Sequence, residues 1–131
     1  MNEERARIFI VDDDASFCRS FSRLMRSAGF DVEAHSAQSF LEKEIYPGKS
    51  CLFLDVRMPG LTGLELQQEL LRRNILIPIV FITALEEPAA RIDAMQAGAV
   101  DFLLKPTDAE SLFDAIDRAL EQDTRTKKAQ S

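Results

Sequence analysis

Two apolar runs that each stop on acids constrain the fold of this chain more than any other feature. Ile8-Phe9-Ile10-Val11 is followed at once by Asp12, Asp13 and Asp14, and Cys51-Leu52-Phe53-Leu54 is followed by Asp55. Continuous apolar runs of this length read as strands buried on both faces. A core does not tolerate unpaired acids at such places. If both strand ends meet in one sheet, several like charges crowd one point. Hard oxygen ligands of that kind suit a divalent cation, which points to Mg²⁺ and phosphate chemistry.

The rest of the chain repeats the same alternation. The pattern predicts strands over about Arg7–Val11, Asp31–Ala34, Cys51–Leu54, Ile77–Thr83 and Val100–Leu104. Between them it predicts helices over about Ala15–Ala28, Ala37–Ile45, Leu64–Arg73 and Pro88–Ala97. The first of these carries Phe17, Phe21, Leu24 and Ala28 at helical spacing. A fifth helix is expected from the capping-box pattern Thr107-Asp108-Ala109-Glu110, with Leu112, Ile116, Ala119 and Leu120 turned inward. A fivefold β-α alternation with apolar strands implies an α/β fold, a doubly wound parallel sheet covered on both faces. Residues 1–122 form one globular unit in this reading, and residues 123–131 are a polar tail, a frayed end or the start of an interdomain linker.

Composition narrows the function classes. The chain has 131 residues, 46% hydrophobic and 29% charged, with a formal net charge of −6. That acidity disfavours direct binding to nucleic acid or to an anionic membrane. No apolar run has the length of a transmembrane helix, and the first residues are too polar for a signal peptide. Cys18 and Cys51 read as small buried apolar residues of a reducing, cytoplasmic setting. His35, the only histidine, reads as an incidental residue of an edge strand.

Ligands of open parallel sheets bind beyond the carboxyl ends of the strands, where strand order reverses. Strands one, three, four and five end on Asp12 and Asp13, Asp55, Thr83 and Lys105, whereas strand two ends on nothing comparable. A sheet ordered 2-1-3-4-5 accounts for this, with strand two as an edge away from the site. Acids for a metal, a central carboxylate, a hydroxyl and a cation are the inventory that phosphoryl transfer needs.

Four motifs on those strand ends now carry a family resemblance. They are Val11-Asp12-Asp13-Asp14, Leu54-Asp55-Val56-Arg57-Met58-Pro59-Gly60, Phe81-Ile82-Thr83-Ala84 and Asp101-Phe102-Leu103-Leu104-Lys105-Pro106. Together they resemble the receiver domain of two-component response regulators over about Arg7 to Leu120. The resemblance implies a flavodoxin-like fold and a protein that is not an enzyme beyond self-phosphorylation and self-dephosphorylation. It makes Asp55 the acceptor of a phosphoryl group from a histidine kinase. It makes Asp12, Asp13, Asp55 and the Arg57 backbone carbonyl the ligands of Mg²⁺, with Asp12 acting through water. Thr83 would hydrogen-bond a phosphoryl oxygen. Lys105 would pair with Asp55 and then with the phosphoryl group, and its peptide to Pro106 would be cis. Phe102 would be the switch aromatic that turns inward when Thr83 moves, without the hydroxyl that a tyrosine would bring. The output would be a helix 4–strand 5–helix 5 surface that controls homodimerisation or a DNA-binding domain. Asp55 to Leu66 and Ala97 to Phe102 look most like receivers that precede a LuxR-type helix-turn-helix domain.

Simpler readings stand beside these. Asp14 reads as a helix cap. Thr83 and Phe102 could be ordinary strand and core residues, and Arg57 is expected to be exposed over the site. Arg91, Asp93 and Gln96 are expected on an outer face of helix four. Two other functions share part of the pattern. One is a stand-alone receiver acting by protein contact. The other is a phosphohydrolase similar to the haloacid dehalogenases, with Asp12 as nucleophile in Asp12-Asp13-Asp14. The chain lacks the later acidic pair and the room for a cap that such an enzyme uses.

Overall fold

The computed structural model describes residues 5–130, with side chains to residue 126. Five strands alternate with five helices. They are β1 Arg7–Val11, α1 Ala15–Ser27, β2 Asp31–His35, α2 Ala37–Glu42, β3 Ser50–Leu54, α3 Gly63–Arg72, β4 Ile79–Thr83, α4 Pro88–Gln96, β5 Asp101–Leu104 and α5 Ala109–Gln130. All pairings are parallel and the order is β2-β1-β3-β4-β5. The expected doubly wound sheet is therefore present, with β2 at an edge.

Strand periodicity divides the core into two layers. Phe9, Val11, Leu52, Leu54 and Phe81 face one side, where they meet Phe40, Leu66, Leu70, Ala90 and Ala94 from α2, α3 and α4. Ile8, Ile10, Cys51, Phe53, Val80 and Ile82 face the other, against Phe21 and Met25 of α1 and Leu112, Ile116 and Ala119 of α5. Both faces of the central strands are buried, which is why their sequences carry no polar alternation. Edge strand β2 has only Val32 buried and keeps a polar character.

The helix boundaries differ from the periodic pattern where local chemistry intervenes. Helix α2 stops at Glu42 instead of Ile45, because Lys43 turns to an extended backbone. Its ammonium then lies 4.4 Å from the Phe9 ring centroid. β4 begins at Ile79, because Pro78 has no N–H to add to the ladder. Asp14 caps α1 through the Phe17 amide, as its position suggested. At α5 the cap lies one residue later than expected: Asp108, not Thr107, engages Ser111. The capping box instead opens α3, where Thr62 and Glu65 each accept the other's backbone N–H.

The polar stretch after residue 122 is helical through residue 130, as part of α5, and Asp123 is buried. The Asp123 carboxylate accepts the Ser50 amide, the first of β3, at 2.9 Å. A charged residue that reads as solvated by composition therefore fastens the helix to the foot of the central strand.

Gly63 sets the distance between β3 and α3. A Cβ built there would lie 2.0 Å from the carbonyl oxygen of Asp55 and 3.1 Å from the Val56 Cα. Both atoms are backbone, so neither can swing aside. The Gly63 amide also donates to the Val56 carbonyl at 2.9 Å. Gly63→Ala should therefore destabilise the fold by about 1–3 kcal/mol, the usual cost of overpacking. Urea unfolding measures this, and a variant as stable as its parent would show that the close approach is not obligatory.

Candidate functional site

The sheet ladder aligns the polar strand ends. Val11 is in register with Leu54, and Leu54 with Phe81. The Asp55 amide donates to the Val11 carbonyl at 3.1 Å, and the Lys105 amide donates to the Thr83 carbonyl at 2.8 Å. Backbone pairing thus carries four separate segments to one end of the sheet, at the reversal between β1 and β3. One carboxylate oxygen from each of Asp12, Asp13 and Asp55 lies within 4.8 Å of the others.

The three acids have different surroundings. Asp13 is exposed. Asp12 has no side-chain exposure; its Oδ1 accepts the Asp14 amide at 2.9 Å and its Oδ2 accepts Lys105 Nζ at 2.7 Å. Asp55 is 8% exposed, and its Oδ1 is buried without a hydrogen-bond partner. Burial pushes the Asp55 carboxyl above its ordinary pKa, and the Asp12 charge adds to this. Lys105, the Thr83 hydroxyl and the Arg57 backbone act in the opposite direction.

Lys105 pairs first with Asp12; its Nζ is 3.9 Å from Asp55 Oδ2. The expected Lys105–Asp55 pairing is thus the longer of two. The ammonium also lies 4.2 Å from the Phe17 ring centroid. Phe17 read as a core residue by spacing alone, and its cation–π contact could not be seen in the sequence. The Lys105–Pro106 peptide is cis. Thr83 is buried at the end of β4. Cys18 closes the rear of the site, where its Sγ donates to the Asp12 carbonyl at 3.4 Å.

The acid cluster fits a small divalent cation. Its donors are hard oxygens, Asp55 Oδ1 is a buried orphan, and the Lys105 ammonium alone cannot neutralise three carboxylates. Phe102 lies inside, stacked on Phe81 at 5.8 Å between centroids, with the Arg91 guanidinium 4.9 Å from its ring centroid. The resemblance implied a ring that turns inward; in this structure it is already there. Arg57 is exposed as expected, but its guanidinium is paired with Glu87 of the β4–α4 connection, a partner that sequence spacing did not reveal. His35 is less incidental than expected. It bridges Glu33 at 3.0 Å and Ser39 at 2.7 Å, tying α2 to the edge strand in the recess that Asp12 and Asp13 also line.

Residues 8–117 match the response regulator receiver domain family. This chain belongs to that family. It is 46% identical over 127 residues to nodulation protein W of Bradyrhizobium diazoefficiens, covering 96% of this chain and 56% of the relative. It is 37% identical to the transcriptional regulatory protein FixJ of the same organism, covering 97% of this chain and 62% of FixJ. Among solved structures, response regulator StyR superposes with a TM-score of 0.90 at 42% identity, covering 97% of this chain and 65% of that one. The FixJ-N crystal structure superposes with a TM-score of 0.83 at 35% identity, covering 90% of this chain and 95% of that one. The chain therefore spans between half and two thirds of these curated relatives. The family is that of phosphoacceptor receiver domains, relatives it matches include proteins named as transcriptional regulators, and none of these matches supports the dehalogenase-like reading of Asp12.

Asp55 carries a stability consequence for the receiver. Its raised pKa means that the folded state favours the protonated form. The cost of ionised Asp55 is present above that raised pKa and disappears as pH falls below the unfolded value. At pH 7 without divalent cations, Asp55→Asn should therefore raise Tm. Mg²⁺ at about 100 times its Kd should add about 2.7 kcal/mol to the parent and little to Asp13→Ala. Thermal unfolding in chelator and in Mg²⁺ measures both effects. A less stable Asp55→Asn in chelator would contradict the desolvation argument.

Proposed function

We propose that this receiver accepts a phosphoryl group on Asp55 from a phosphohistidine of a histidine kinase, in the cytoplasm, with Mg²⁺ held by Asp12, Asp13, Asp55 and the Arg57 carbonyl. The observation that carries the reading is the buried, partnerless Asp55 Oδ1 beside two further acids and one lysine. When bound, the metal supplies charge neutralisation between the attacking carboxylate and the incoming phosphoryl oxygens. An Asp55 oxygen attacks phosphorus in line with the departing imidazole nitrogen. The P–N bond breaks as the P–O bond forms, giving an acyl phosphate and a neutral histidine after proton uptake. Lys105 moves its charge from the carboxylates to the phosphoryl group, and the Thr83 hydroxyl donates to a phosphoryl oxygen. Small phosphodonors would serve the same chemistry, and water attacking the acyl phosphate would release inorganic phosphate and restore the Asp55 carboxylate. Labelling with acetyl phosphate tests this. Incorporation should be lost in Asp55→Asn and retained in Asp12→Asn at raised Mg²⁺; the opposite pattern would make Asp12 the nucleophile.

The output follows from register. Phe81 pairs with Phe102, and Thr83 lies two residues beyond Phe81 on the same strand. A Thr83 hydroxyl drawn towards the phosphoryl group displaces the end of β4 and with it the Phe102 ring and α4. Leu85, Ile92 and Met95 are exposed on and just before α4, which supports a homodimer through the α4–β5–α5 face. The length of the relatives supports an output domain of the LuxR-type DNA-binding kind joined through α5, with residues 1–122 as the receiver unit. Light scattering with and without beryllofluoride and Mg²⁺ should show a monomer becoming a dimer. An unchanged mass would remove the dimer and favour a receiver acting by contact with other proteins.

A further inference from the structure

The loop after Asp55 is bolted to helix α4 by a single ion pair. Arg57 lies two residues beyond the phosphoacceptor, and Glu87 four residues beyond Thr83. The pair is bidentate: Arg57 Nε donates to Glu87 Oε2 at 3.0 Å, and Nη2 to Oε1 at 2.5 Å. It joins the two loops whose strands supply Asp55 and Thr83.

Glu87 occupies the N-cap of α4 and makes no side-chain cap to its own helix. Its carboxylate is committed to Arg57 instead. Little else holds this end of α4. The helix has nine residues, and only Ala90 and Ala94 are buried. Its other ties are the Gln67 amide on the Ala94 carbonyl at 3.1 Å and the Arg91 guanidinium over Phe102. By contrast α3 has a capping box and buries Gly63, Leu66, Gln67 and Leu70.

A guanidinium binds carboxylate and phosphate with the same fork of N–H donors. Resting on the receiver function above, we propose that Arg57 is a partner-exchange switch: it clasps Glu87 in the unphosphorylated receiver and is drawn to the phosphoryl group on Asp55, releasing the N-terminus of α4. No bond other than hydrogen bonds is made or broken in this exchange. Arg57 and Glu87 are positioning residues, and the peptide that offers its carbonyl to Mg²⁺ belongs to the same loop. Loss of the clasp also frees Glu87 to cap α4 in its displaced position.

Exchange, as opposed to a passive latch, predicts opposite effects of removing its two halves. Glu87→Gln removes the carboxylate that competes for Arg57, so affinity for beryllofluoride with Mg²⁺ should rise about two- to fivefold, the range of exposed ion pairs. Arg57→Ala removes the phosphoryl contact as well as the latch, so affinity should not rise. A second readout needs no metal or ligand: hydrogen exchange of the α4 amides should be faster in both variants than in the parent. In the parent, the Arg57 Nε–H resonance should move when beryllofluoride binds. If the two variants change beryllofluoride affinity together or leave it unchanged, or if the Arg57 resonance stays fixed, the exchange is overturned while the receiver function stands. If the unsubstituted protein takes up no beryllofluoride at Asp55, the receiver function falls and the exchange with it.

Discussion

Backbone pairing between β1 and β3 forces acids together that repel one another. The Asp55 amide bonds to the Val11 carbonyl, so Asp55 cannot move away from Asp12 and Asp13 without breaking the central ladder. The apolar runs behind these acids bury both faces of the sheet and fix the register. Hydrophobic burial therefore sustains an electrostatic conflict at the strand ends. Every feature of the site responds to that conflict. Lys105 crosses to Asp12, Phe17 steadies its ammonium, and the remaining negative charge is left for a cation or a phosphoryl transfer complex. Gly63 belongs to the same arrangement, because it lets α3 press on the Asp55–Val56 peptide and close the loop tightly.

What could be read in the sequence was what depends on period and position. Strand order and the identity of the strand-end residues follow from apolar runs and from where polar residues interrupt them. The structure places Asp12, Asp13, Asp55, Thr83 and Lys105 together, as that reading requires. What escaped it depends on side chains reaching between distant segments. Arg57 and Glu87 are 30 residues apart, Ser50 and Asp123 are 73 apart, and neither pair has a spacing signal. Asp123 shows the difficulty well. A polar neighbourhood at the end of a chain reads as solvent-exposed, yet one carboxylate there satisfies the first amide of β3, a backbone group that burial would otherwise leave costly.

The same contacts grade the helices by how firmly they are held. Helix α5 buries Leu112, Ala115, Ile116 and Ala119 and is fastened by Asp123 to β3, the strand that leads into Asp55. Helix α4 buries two alanines and depends on polar ties to α3, β5 and the Asp55 loop. Alanine burial contributes little per residue compared with leucine or phenylalanine. A small free energy applied at Asp55 therefore displaces α4 before it displaces α5. By this measure α4 is packed more lightly than α5, which leaves it the easier of the two to displace.

That grading also explains how a charge added at one strand end can produce a directed response. On the proposed function, a phosphoryl group on Asp55 would bring new acceptor oxygens to Thr83, Lys105 and the loop of Arg57. Lys105 is held on β5 by the same ladder as Thr83 and can re-aim its ammonium without moving its backbone. Arg57 and Thr83 are different, because each is connected to α4 through a short loop or an ion pair. Attraction at such a phosphoryl group would be converted into motion only where the receiving element is weakly packed. Ala90 and Ala94 leave α4 with little apolar burial to resist such a pull, so under the proposed function these small residues would help the receiver transmit its signal.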